Sequence, residues 1–178
     1  MENNNNYLEK EMIETISLIK DKQKYLDSLI HLKKNFSFSQ TFNLRKLALL
    51  VELGEFSNEL ESFKFWKINK KEKDENKVKE ELIDCLHFFI SIINDLNVSI
   101  DLDSKEDYGC FDLNELLLKI FESTTYFSLN MKNSHSICNN WLRLFLEICN
   151  NLQLSSDELL SSYLQKNKLN IERLNSGY

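Results

Sequence analysis

The sequence predicts an all-α protein, and three observations carry that expectation. The 178 residues include no proline and only three glycines, Gly54, Gly109 and Gly177, so the residues that punctuate turns are nearly absent and long helices are favoured. Apolar residues recur with the period of a helix over most of the chain. Twelve phenylalanines and a Leu-rich pattern supply core material, and a chain of this length fits one domain spanning residues 1–178.

The elements follow in order. After a short polar start, Ile13, Ile16, Ile19, Leu26, Leu29 and Ile30 mark the apolar side of a first helix at about Tyr7–Leu32. NFSFSQTFN reads as a loop before a second helix at about Leu44–Phe63, with the stripe Leu49, Leu53, Phe56 and Leu60. The charged run KINKKEKDEN has no Pro, Gly or Ser cluster and reads as an exposed loop rather than a domain linker. A third helix is expected at about Glu75–Leu96, on the stripe Val78, Leu82, Leu86, Phe89, Ile93 and Leu96. A polar connection holding Gly109 leads to helices at about Leu113–Met131, Asn139–Leu152 and Ser155–Asn175. Ser155 and Glu158 match a capping box at the start of the last one.

Composition excludes several classes. A net charge of −6 and a pI near 5.2 argue against a general nucleic-acid-binding surface, although a divalent cation can still neutralise a nucleotide's phosphates locally. Cys85, Cys110, Cys138 and Cys149 form no CxxC pair, and the polar start MENNNNYLEKE is no signal peptide, so reduced thiols in a cytoplasmic protein are expected. No apolar run approaches the ~18 residues needed to span a membrane.

Two acidic pairs carry the chemistry. Glu52 and Glu55 in the second helix, and Glu81 and Asp84 in the third, are each spaced three residues apart, which puts both carboxylates of a pair on one helix face. Such pairs are usually a solvated face, because Glu is a good helix former. Here the neighbours argue otherwise. On a wheel of about 100° per residue, Glu52, Glu59 and Glu55 lie roughly 60°, 80° and 120° from their apolar stripe, all on one flank. On the same wheel Glu81 and Asp84 lie roughly 100° and 160° from theirs, sharing a face with Phe88 and Ile92. Acids beside large apolar groups are costly to bury without a compensating cation, and four carboxylates on two packed helices form the ligand set of a hard cation such as Mg2+. His31, His87 and His135 make no Glu-x-x-His element, which disfavours a di-iron bundle, and His87 reads as a structural hydrogen-bonding residue.

With these elements in place, the chain resembles a known family. VELGEFSNELESFKFWK followed by EELIDCLHFFISI is similar to the dimeric, all-α dUTP diphosphatases, relatives of the MazG-like nucleoside triphosphate pyrophosphatases. QKYLDSLI carries the family's Gln-x-x-Leu-Asp pattern in Gln23, Leu26 and Asp27. KNKLNIERLNSGY resembles its closing segment in Lys166, Asn167, Asn170, Arg173, Gly177 and Tyr178, with Leu174 where Gln is more usual after the Arg. Residues from about Val98 to Leu154 carry no matching motif.

The resemblance implies a helical bundle with a central four-helix core, of the all-α NTP pyrophosphatase type. It implies a homodimer and hydrolysis of dUTP, and of dUDP, with dUMP and pyrophosphate as the products from dUTP. Glu52, Glu55, Glu81 and Asp84 would hold Mg2+, with Mn2+ as an admissible substitute, and a metal-activated water would attack between the acidic helices. Glu52 and Glu55 are the catalytic candidates, Glu55 being favoured as proton acceptor because Glu52 is angled nearer the core. Lys166, Asn170 and Arg173 share one helix face and suit phosphate oxygens and a pyrimidine edge. Gln23 and Asp27 would complete the base pocket, Phe88 would stack on uracil, Lys64 and Trp66 would line a phosphate channel, and Tyr178 would close over the substrate. Two alternatives stand beside this reading: a MazG-like pyrophosphatase for another nucleoside triphosphate, and a non-catalytic helical interaction module.

Overall fold

The acidic pairs are brought level by two antiparallel helices. In the computed structural model, which describes residues 2–68, 74–100 and 108–177 with side chains from residue 10 onward, α2 (Phe38–Leu60) packs most extensively on α3 (Glu75–Asp95). Arg45, early in α2, bonds Ser91 and Asp95 late in α3, so Glu52 further along α2 meets Glu81 near the start of α3. The helix α1 (Glu2–Lys34) packs on α3 and on α6 (Ser156–Ser176), and α6 also touches α3. These four helices form the central core expected from the resemblance. The pair α4 (Leu113–Thr125) and α5 (Ser134–Asn151) packs together and reaches the core through α2 and through Phe89, whose ring stacks on Trp141 at 3.9 Å. No strand occurs among the described residues, and none of their helices is long and apolar enough to cross a membrane.

The stripes predicted for α2 and α3 are buried: Leu49, Leu53, Phe56 and Leu60 on α2, and Val78, Leu82, Leu86, Phe89 and Ile93 on α3, lie in the core, while on α1 Ile16, Ile19 and Leu26 are buried and Ile30 is exposed. Cys85, Cys138 and Cys149 are buried free thiols and Cys110 is an exposed one. The Ser155–Glu158 capping box closes as the sequence suggests.

Several helix boundaries differ from expectation: α1 already begins at Glu2 instead of about Tyr7, and α2 ends at Leu60 instead of about Phe63. NFSFSQTFN is largely helical: α2 starts at Phe38, because Ser37 caps it and exchanges bonds with Gln40 in a second capping box. The fourth helix stops at Thr125 instead of continuing towards Met131. The last carbonyls are satisfied without another turn: Tyr126 and Phe127 N–H donate to Ser123 and Thr124, and Lys46 of α2 donates to Thr125 at 2.6 Å and to Phe127 just beyond the helix at 3.0 Å. Helix α5 begins at Ser134, earlier than the expected Asn139.

Candidate active site

The flank position of Glu52 and Glu55 on α2, and of Glu81 on α3, turns their carboxylates towards one another across the antiparallel pair. One carboxylate oxygen from each of the three lies within 4.8 Å of the other two. Neighbouring ligands of a Mg2+ octahedron stand about 3.0 Å apart and opposite ones about 4.2 Å, so an all-oxygen trio within this spacing would hold a hard divalent cation once the side chains draw together around it. Electrostatics agree with geometry. Burial, then the charges of Asp84, Glu55 and Glu81, push the half-buried Glu52 up to about 7, and burial with Asp84 and Glu55 raises Glu81. Carboxylates raised in this way are under-compensated, and a cation would relieve them.

Asp84, the fourth predicted ligand, has a different neighbour. Lys166 of α6 donates to its Oδ2 at 2.6 Å and to Glu80 Oε1 at 2.9 Å. Burial raises the Asp84 carboxyl, and the Lys166 hydrogen bond and charge oppose that rise. Burial likewise works against the Lys166 charge, but its bonds to Asp84 and Glu80 outweigh it and leave the ammonium raised.

Asp84 also forms one edge of a cleft of ≈ 540 Å³ between α1, α2, α3 and α6. Gln23, Asp27, Phe88, Asn170 and Arg173 all line it, so five of the predicted substrate contacts share one cavity with the acidic helices. The wall is mostly apolar with a few placed polar groups, the usual character of a small-molecule site.

Lys166 lines a separate pocket together with Glu80, and Lys64 and Trp66 do not line the cleft either. The latter two occupy the turn after α2, where Lys64 bonds the Asn58 carbonyl at 3.0 Å and Glu61 at 3.3 Å. Trp66 is 59% exposed, edge-on to Phe63 and Phe65. Tyr178 lies outside the described residues.

The structure adds residues that sequence reasoning left out. Arg45 closes the back of the cleft, bonded to Ser91 Oγ at 2.8 Å, to the Phe38 carbonyl at 2.9 Å and to Asp95. A signal for it existed: Arg45 sits between Phe42 and Leu49 on the buried stripe of α2, a register where a charge demands a buried partner. His31 bonds Thr41 at 2.6 Å and ties α1 to α2, and Tyr163 of α6 reaches Gln23 at 2.8 Å. Nothing local in the sequence marks these two.

His87 fulfils its structural expectation. Its ring is buried against Tyr163 and its Nδ1 bonds Gln23 Oε1 at 2.7 Å, while burial pushes its pKa down to about 3. The sign follows: a histidine held neutral contributes stability that is present above its unfolded pKa near 6.5 and is lost as pH falls towards 3.

Fold and site together define an all-α protein with a carboxylate cluster on antiparallel helices beside a nucleotide-sized cleft, the equipment of a nucleotide hydrolase. The comparison with protein families makes the class specific. The family model described as dUTPase matches residues 15–178, and the chain belongs to that family; its activity is that of a dUTP diphosphatase. The match takes in both acidic pairs and the segments around Gln23 and Arg173. Searches of curated proteins and of solved structures returned no match.

Proposed function

We propose that this protein hydrolyses dUTP to dUMP and pyrophosphate in a Mg2+-dependent reaction seated between α2 and α3, with dUDP also accepted. The observation that carries this reading is the Glu52–Glu55–Glu81 oxygen cluster opening beside the α1–α6 cleft. Glu52, Glu55, Glu81 and Asp84 would hold Mg2+, or Mn2+ in its place. A divalent cation bound there supplies neutralisation of the triphosphate charge and a more acidic attacking water.

The chain's own residues do the rest. Glu55, the exposed member of the trio, takes the proton from the water. Glu52, lodged nearer the core, holds the cluster's position. Lys166 and Arg173 approach the phosphates from α6, with Asn170 on the same helix turned to the base or sugar. Phe88 offers its ring to uracil, and Gln23 with Asp27 reads its edge. Lys64 and Trp66 follow the acidic helix outside the cleft wall, so they are assigned to the phosphate side and not to the base. Tyr178 remains the candidate for closing over bound substrate. The reading takes residues 1–178 as one unit working in the cytoplasm, with no nucleic acid or membrane as partner.

A homodimer belongs to the same proposal. On α2, Leu44, Leu47 and Val51 share one face and are 60%, 58% and 50% exposed, Leu44 also lining the cleft, and a second copy would cover this stripe. Light scattering is expected to return twice the 21.1 kDa chain mass. Leu47→Asp is expected to return the chain mass alone, and a monomeric wild type would contradict the assignment.

Cation binding should depend on pH with a known sign. With Glu52 raised to about 7 from 4.5, the cation-free fold binds a proton there more tightly than the unfolded chain does. That contribution is fully present below 4.5 and is lost as pH rises through 7. Protons and Mg2+ therefore compete, and the Mg2+-induced rise in melting temperature is expected to be small at pH 6 and to grow through pH 7 to pH 8. A rise independent of pH would contradict the placement of the cation at Glu52.

The direct test is pyrophosphate release from dUTP, dCTP, dTTP and UTP, with and without EDTA. Turnover confined to dUTP and abolished by EDTA is expected. Preference for another triphosphate would select the broader MazG-like reading, and no cation-dependent turnover at all would select a non-catalytic module.

A further inference from the structure

Gln23 sits at the floor of the cleft, 4% exposed, and its carboxamide is held from both ends. Its Oε1 accepts from the Tyr163 hydroxyl at 2.8 Å and lies 2.7 Å from His87 Nδ1, a contact that calls for the tautomer with the proton on Nδ1. Its Nε2 donates to Asp27 Oδ1 at 2.8 Å. Turning the amide over would aim its oxygen at the Asp27 carboxylate and lose the match to two donors, so these partners select one orientation. Tyr163 is fully buried and stacks on His87 with ring centres 4.2 Å apart, which fixes where its hydroxyl can point.

Two bonding positions are left over at this floor. The Gln23 amide has two hydrogens and Asp27 takes one of them. Asp27 Oδ2 is buried and makes no hydrogen bond of full geometry, the Ser91 side chain acting on the carboxylate only as a weak donor that opposes the rise burial gives it. A donor thus stands beside an acceptor, the complement of a ring that presents a carbonyl next to an N–H, as uracil does. With the ring held so that its 4-substituent meets Gln23 and its N3 meets Asp27, cytosine sets an amino group against a donor and a bare ring nitrogen against a carboxylate, and it could pair only by shifting one position along the edge. A buried group left unpaired is penalised more heavily than a good bond is rewarded.

We propose that Tyr163 is a positioning residue for base selection: with His87 it locks the Gln23 carboxamide with its NH2 group towards Asp27 and the cleft, and that orientation favours uracil over cytosine. The proposal rests on the reading that Gln23 and Asp27 meet the base, and it assigns to α6 a part in specificity separate from its phosphate-facing cations.

Tyr163→Phe tests it, because the ring and its stack on His87 remain while the hydroxyl is removed. The dUTP-to-dCTP ratio of kcat/KM is expected to fall about tenfold, the worth of one hydrogen bond, mainly through a higher KM for dUTP. Equilibrium binding of dUMP should weaken by a similar factor while that of dCMP does not. Equal losses for both bases, or no change for either, would overturn the positioning role. Gln23→Ala separates this from failure of the underlying reading. If Q23A keeps the dUTP-to-dCTP ratio, the base is met elsewhere and both ideas fall; if Q23A loses it while Y163F keeps it, only the role of Tyr163 falls. The wild-type protein gives a readout that needs no substitution. Its Gln23 side-chain NH2 resonances are expected to shift on adding dUMP and not dCMP, and equal shifts with both would count against the proposal.

Discussion

Glu52→Gln is expected to abolish most dUTP turnover while raising the melting temperature of the cation-free protein at pH 8. The two effects have one cause. Burial and the charges of Asp84, Glu55 and Glu81 lift the Glu52 carboxyl to about 7, so above that pH its charge works against the fold. An amide of the same shape removes that repulsion, and an upward shift of about a few degrees is the scale expected for a chain of this size. The same charge is what a divalent cation would use, and its removal should lower turnover by about 10²-fold or more, as with other charge-stabilising groups in a reaction centre. Glu55→Gln gives a contrasting result. Glu55 is exposed, so relieving its repulsion of Glu52 and Glu81 should raise the melting temperature by less than Glu52→Gln does, while loss of the proposed proton acceptor lowers turnover by about 10²–10⁴-fold. Melting curves in EDTA, paired with pyrophosphate release in Mg2+, check both. An E52Q protein that is less stable and fully active would contradict the account.

Asp95→Ala is expected to be the most destabilising of the substitutions considered, at about 3–5 kcal/mol, because it strands a buried charge. The Arg45 and Asp95 side chains are 9% and 7% exposed, and the guanidinium also serves Ser91 and the Phe38 carbonyl. Deleting the carboxylate leaves that guanidinium in the core without its counter-charge. It should also loosen the α2–α3 pairing that brings the two acidic pairs level. Urea unfolding gives the size of the effect. The double variant Arg45→Met with Asp95→Leu should recover much of the loss, since an apolar pair of similar volume removes both charges. Equal stability of D95A and wild type would mean that the pair contributes nothing to the fold.

The course of the chain was legible wherever periodicity and local chemistry speak. The stripes of α2 and α3, the Ser155 cap and the structural role of His87 all follow from spacing and residue type. The start of α2 was legible too, since Ser37 and Gln40 before an apolar run form a capping signal that the surrounding aromatic residues obscured. Other features depend on contacts between distant segments, which periodicity does not encode. At the early end of α4 the carbonyl of Thr125 is met by Lys46, about eighty residues earlier in the chain. Likewise, the spacing within α3 puts Asp84 with Glu81, but only the docking of α6 puts Lys166 on Asp84. The joining of Gln23, His87 and Tyr163 needs three helices to meet at one point. A helix wheel finds the faces; tertiary packing decides which faces share a site.

The central claim is that the carboxylates on α2 and α3 hold the cation that dUTP hydrolysis requires. Its most direct test is a Mg2+ titration of EDTA-treated protein at pH 8, following pyrophosphate release from dUTP. No turnover is expected without Mg2+, with saturable recovery in the wild type and none in Glu52→Gln at the Mg2+ concentrations that saturate the wild type. Full turnover in the EDTA-treated wild type, or normal Mg2+ recovery in the variant, would contradict the claim.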